Sequence, residues 1–137
     1  MQPPKKGNHM TIKTTLAGFG LALLLAACAA DMAPAKPGST AIGNVLTDAK
    51  GMTLYTFDRD ATPGKSACNG PCATNWPPLM AAADAKPMGD WSIITRDDGG
   101  KQWAYKGKPL YAWAKDTKPG DTTGDGFLNN AWHVARP

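Results

Sequence analysis

Hydrophobic and polar positions alternate in short bursts along most of the chain. Residues 42–47 (IGNVLT), 54–57 (LYTF), 91–95 (WSIIT), 102–105 (QWAY) and 110–113 (LYAW) carry β-branched and aromatic side chains and are bounded by Gly, Pro, Asp or Lys-Gly. Runs of this length and composition predict strands. Asp97-Asp98-Gly99-Gly100, between the third and fourth runs, is a hairpin signal. Side chains on a strand alternate faces, so Tyr55 and Phe57 share one face and Leu54 takes the other. Tyr111, Trp113 and Leu110 repeat that arrangement. No segment sustains a 3.6-residue period. Residues 80–85 (MAAADA) suit one helical turn at most, bracketed by Pro77, Pro78 and Pro87. The expected fold is all-β, with short antiparallel strands and large loops.

One stretch breaks the pattern. Residues 16–27 (LAGFGLALLLAA) are continuously apolar or small and follow Lys13. A spanning helix needs about 20 apolar residues, so this stretch predicts a signal peptide over residues 1–27. Met10 is a plausible start, which makes residues 1–9 a start-site extension. Its last three residues and the one after them, Leu25-Ala26-Ala27-Cys28, resemble the lipobox of bacterial lipoproteins. The resemblance implies that Cys28 becomes an acylated N-terminus, with membrane lipid as its partner. Stable anchoring takes at least two acyl chains, which such a cysteine carries. Ala29, in place of Asp, implies by the same resemblance an outer-membrane destination in a Gram-negative source. Residues 28–40 then read as the lipidated cysteine and a small, Pro-rich, flexible tether. Residues 41–137 form the folded domain.

Composition narrows the function. Removing 27 of 137 residues leaves 110, enough for one domain. Lys5, Lys6 and Lys13 go with the leader, leaving 12 cations against 11 Asp, a net charge of +1. The pI near 9.0 is therefore weak ground for a nucleic-acid partner. The chain contains no Glu, and after the leader it keeps one histidine, His133, and three serines. That is a thin stock for acid–base or nucleophilic catalysis.

The chain also repeats itself. Residues 50–76 align with 106–132 without a gap, and nine of 27 positions are identical. Ordinary residue usage would give roughly two. The matches include Tyr55/Tyr111, Asp60/Asp116, Pro63/Pro119, Gly64/Gly120, Gly70/Gly126 and Trp76/Trp132. One copy alone can scarcely bury its apolar face, so two copies packed about an approximate twofold are expected. Both copies contain Tyr-x-[Phe/Trp]-x-x-Asp, as Tyr55, Phe57, Asp60 and as Tyr111, Trp113, Asp116. With the lipobox, the cysteine pair and Trp76-Pro77-Pro78-Leu79, the chain resembles the secreted repeat lipoproteins known by that motif. The resemblance covers residues 40–134. It implies location and architecture and carries no assigned biochemistry.

With Cys28 assigned to lipid, Cys68 and Cys72 remain, and an exported pair reads as a disulfide. The alternative is an envelope redox or copper site using Cys68, Cys72 and His133, with Met80 or Met88 as soft ligands. The motif aromatics read as core between the copies, against a ligand groove as the alternative. Asp60 and Asp116 read as turn-holding acids before Pro-Gly, against a carboxylate pair for hydrolysis. Residues 121–127 have acids where a calcium loop would, but Trp132 stands where its bidentate Glu belongs, so a Gly-rich loop is expected. Lysines 101, 106, 108, 115 and 118 interleave with aromatics and read as solvated cations. The expected function is a lipid-anchored envelope module that binds an unknown protein or small ligand or plays a structural part. No catalytic residue, cofactor or nucleic-acid partner is assigned.

Overall fold

The computed structural model describes residues 33–137, preceded only by positions 2, 4 and 7. Cys28 and the signal segment lie outside the described residues. Seven strands carry the domain: β1 (Lys36–Thr40), β2 (Gly43–Thr47), β3 (Tyr55–Phe57), β4 (Trp91–Thr95), β5 (Lys101–Tyr105), β6 (Lys108–Pro109) and β7 (Trp132–Val134). One short helix, α1 (Pro71–Asn75), and a left-handed turn, Phe127–Asn130, occupy the two long loops. The all-β expectation holds, and all strand pairs are antiparallel.

The sheets are small: β1–β2, β3–β7 and β4–β5–β6. They are stitched together across the middle. Leu46 N donates to Ala135 O (2.8 Å), Leu54 N to Leu46 O (2.9 Å) and Ala135 N to Leu54 O (2.8 Å). The second copy repeats this triangle, with Trp103 N to Leu79 O, Leu110 N to Trp103 O and Leu79 N to Leu110 O, at 2.8–3.1 Å. Strand β3 of the first copy thus pairs with β7 at the end of the second. The segment around Tyr111, predicted as a strand, forms only isolated bridges and in turn receives Pro77 and Pro78 from the first. Those prolines have no N–H to donate, so this second pairing is a set of isolated bridges, where β3–β7 is a regular ladder.

Face alternation divides the interior as the pattern predicts. Val45, Tyr55, Phe57, Cys68, Trp76, Tyr111, Trp113, Trp132 and Val134 form an aromatic core on one side. Ala35, Leu46, Leu54, Leu110 and Ala135 form an aliphatic core on the other.

Two local expectations differ from the structure. Residues 36–40, read as tether, form β1 across from β2. Pro37 is tolerated on an edge strand, and Gly38 lets the Thr47 side chain lie against the backbone, where a Cβ would sit 2.6 Å from the Thr47 methyl. Thr47 Oγ1 also donates to Lys36 O (2.8 Å). The helical turn forms at Pro71–Asn75, not in residues 80–85, because Pro71 occupies a first-turn position where no N–H is needed.

Candidate functional site

The repeat motifs meet at the centre of the domain. Tyr55 and Tyr111 exchange both backbone hydrogen bonds, at 2.7 and 3.0 Å. Their side chains then cross over: the Tyr55 hydroxyl donates to Asp116 Oδ2 (2.6 Å), and the Tyr111 hydroxyl to Asp60 Oδ2 (2.6 Å). Each carboxylate turns its other oxygen to its own loop. Asp60 Oδ1 accepts from Ala67 N (2.7 Å); Asp116 Oδ1 accepts from Thr123 N (3.0 Å) and Thr123 Oγ1 (2.6 Å). Ala67 and Thr123 are equivalent positions in the two copies. Burial pushes both phenols far above the ordinary tyrosine value, and the bonds to Asp reinforce it. Burial also raises Asp60, opposed by the Tyr111 and Ala67 hydrogen bonds and the Arg96 charge.

Four aromatic rings stack through the same centre. Phe57 lies on Trp132 (4.1 Å between centroids), Trp132 on Trp76 (3.8 Å) and Trp76 on Trp113 (3.9 Å). Tyr55 and Tyr111 meet Trp76 and Trp132 edge-on at 5.3 and 5.1 Å. The order is the same read from either end, so the stack obeys the twofold. Each such pair contributes about 0.5–1.5 kcal/mol beyond the area it buries.

A groove of about 400 Å³ opens on the other face of the β3–β7 ladder. One wall carries Thr56, Asp58, His133 and Arg136; the other carries Tyr105, Lys106 and Lys108 from the β5–β6 hairpin. His133 Nε2 lies 2.9 Å from Asp58 Oδ2. Arg136 is held by the carbonyls of Ile42 (2.9 Å) and Asn44 (3.0 Å). Lys106 and Gly107 form a two-residue turn with φ of 50° and 81°, the left-handed pair that a tight hairpin requires.

Two stretches of the chain, residues 37–80 and 92–136, match the family model described as a secreted repeat of unknown function. The chain belongs to that family. The matched stretches contain both motif copies, so the resemblance read from the motifs is correct at the level of the family. No curated protein and no solved structure matches the chain.

Within this secreted repeat the predicted site residues take distinct places. Cys68 and Cys72 form a disulfide with Cα atoms 5.2 Å apart, closing the loop onto the first turn of α1. Bonded to each other, they offer no thiolate to copper. His133 points away from them: its strand neighbours Trp132 and Val134 share the aromatic core with Cys68, and His133 faces the groove with Asp58. Met80 and Met88 are exposed. Among the described residues, no three His, Cys, Asp or Glu side chains gather as a metal site would need. Asp60 and Asp116 share no cleft, since Asp60 lines a small pocket of about 190 Å³ and Asp116 is buried against Thr123 and Tyr55. Their partners are also wider than the turn-holding role predicts, because each reaches a residue seven positions on and a tyrosine of the other copy. Asp121 instead does the turn-holding. It accepts from Thr117 and Lys118 backbone N–H groups, and those bonds lower it below the ordinary carboxylate value. Asp125 accepts from Val134 N, so the two acids of the calcium-like loop serve separate hydrogen bonds.

Sequence reading missed Arg96. It is only 5% exposed, donating to Cys68 O (2.6 Å), Gln102 Oε1 (2.7 Å) and Ser66 Oγ (3.1 Å). Ser66 in turn meets the Tyr111 hydroxyl at 2.7 Å, and Gln102 donates to Leu110 O (2.8 Å). The network ties the disulfide loop, β5 and the second motif together. Its signal was present: Arg96 follows β4 in phase with buried Ile94, so period-two alternation places a cation on the inward face.

Proposed function

We propose that this secreted repeat is a lipid-anchored cell-envelope protein that works as a binding or structural module, displayed outside the cytoplasm on acylated Cys28. The supporting observation is the use made of the motif. Both Tyr-Asp pairs and the four stacked rings join one copy to the other, and each motif side chain is consumed in that junction. What the motif builds is a small rigid platform. The surface left for a ligand is the groove and the loops around it. A short tether from Cys28 to β1 keeps the platform close to the membrane surface, at the outer membrane in a Gram-negative source.

Fractionation tests this reading. The native chain belongs in the membrane fraction and carries labelled fatty acid, whereas Cys28→Ser moves to the soluble exported fraction without label. A Cys28→Ser chain that stays membrane-bound, or a native chain that takes up no label, overturns it.

A further inference from the structure

The geometry points to the groove beside His133 as a binding site for a phosphate-bearing anion, a reading that rests on the proposed role as an envelope binding module. The first argument is charge. From residue 33 onward the chain has 12 cations and 10 Asp, a net of +2 over a whole domain. Lys106, Lys108 and Arg136 all line this one groove, and its single acid, Asp58, is already paired with His133. Among the described residues no carboxylate lies within ion-pair distance of Lys106 or Lys108. Arg136 is held by two backbone carbonyls, so its charge stays on the wall rather than folding onto Asp58. Converging cations without acidic partners favour an anionic guest, and Lys is a point-charge partner for phosphate.

The second argument comes from the duplication. Across the twofold, a counterpart depression of about 400 Å³ lies where Lys50 meets Leu79, Met80 and Trp103, and it is lined by Ala33 and Pro34 of the chain itself. The first-copy residues equivalent to Lys108, His133 and Arg136 are Met52, Pro77 and Met80; of these Met80 lines the depression, together with Asp48 and with Lys50, the equivalent of Lys106. The fold therefore accepts apolar residues at the equivalents of these positions; Arg136 also serves packing through the Ile42 and Asn44 carbonyls, while Lys108 has no ion-pair partner among the described residues. Lys106 is matched by Lys50, so the contrast between the two depressions rests on Lys108, His133 and Arg136.

The phosphate has two possible sources, an envelope lipid headgroup or a soluble phosphate ester, and the experiment separates them. Exported, unacylated full-length chain carrying Cys28→Ser is titrated with glycerol 3-phosphate by calorimetry. In parallel it is sedimented with vesicles of pure phosphatidylcholine or of phosphatidylcholine containing phosphatidylglycerol. Binding to the ester identifies a soluble ligand, and binding only to the phosphatidylglycerol vesicles identifies a headgroup. In either case affinity falls with added salt, and the Lys106→Ala/Lys108→Met pair loses roughly tenfold or more. Lys50→Ala, in the counterpart depression, leaves binding unchanged. Unaltered denaturation midpoints show that both variants are folded. The proposal is overturned when neither probe binds, when both vesicle types bind equally, or when the double variant binds like its parent. Since this chain is already unacylated, such a failure leaves the anchoring reading standing, and fractionation tests that separately.

Discussion

A tyrosine hydroxyl that reaches across to the carboxylate of the opposite copy is the residue on which the domain turns. Removing one hydroxyl deletes a buried charge-assisted bond and leaves an acceptor of Asp60 or Asp116 unmet. Tyr111→Phe and Tyr55→Phe should each lower stability by about 1–3 kcal/mol in denaturant titration. Alkaline pH should do the same to the native chain. Both phenols are raised in the folded state, so their contribution is complete below the ordinary tyrosine value of about 10 and is lost as pH rises through their folded values. Ultraviolet phenolate absorbance should therefore show these two groups ionising together with unfolding, and either Phe variant should shallow the loss of stability above pH ~10. Phenolates that form fully in the intact fold would contradict the assignment. The motif residues were legible in the sequence and their partners were not. Spacing within a copy reveals which face Tyr55 shares with Phe57, but a hydroxyl's bond to an acid 61 positions away depends on how the copies dock. Arg96 was hidden for a different reason, because a lone cation in a turn-rich segment reads as solvated until its phase with Ile94 is followed.

The paired loops show how one element plan is finished in two ways. In the first copy a disulfide ties the loop to Cys72 in the first turn of α1; in the second, Gly124 and Leu128 stand at the cysteine positions. Gly124 is required there, because a Cβ would lie 2.7 Å from the Trp76 ring. Leu128, Asn129 and Asn130 all take left-handed backbone angles, with Leu128 45% exposed. Asn tolerates that region better than Leu, so Leu128→Asn should raise stability by roughly 0.5–1 kcal/mol in thermal unfolding. Cys68→Ser/Cys72→Ser should lower it by about 2 kcal/mol, the value for so small a ring, while the exported chain still folds. Residues 110–113 form only bridges at Tyr111, and β6 and β7 were not among the predicted runs, whereas β2, β3, β4 and β5 were legible from alternation alone. Strand β1 was not, since Pro37 and Gly38 look like linker until Thr47 is seen filling the space above Gly38.

At the scale of the molecule, the repeats of the sequence are not the halves of the structure. The matched stretches end near residues 80 and 136, yet β3 of the first finds its partner in β7 of the second. A chain stopped after Met80 should show no cooperative unfolding transition, because it lacks the strand that covers β3 and the ring that stacks on Trp76. A stable monomeric product from that truncation would show the copies to be independent. The duplication and the twofold could be read from nine matching residues. The exchange of strands could not, because identical repeats look the same whether they fold side by side or hand in hand. That exchange bears on ancestry. A gene encoding one copy would give a product whose only route to a closed fold is a homodimer built on the same handshake. Joined in one chain, the two copies need not match on their outer surfaces, and they do not: one loop holds a crosslink where the other has Gly124 and Leu128.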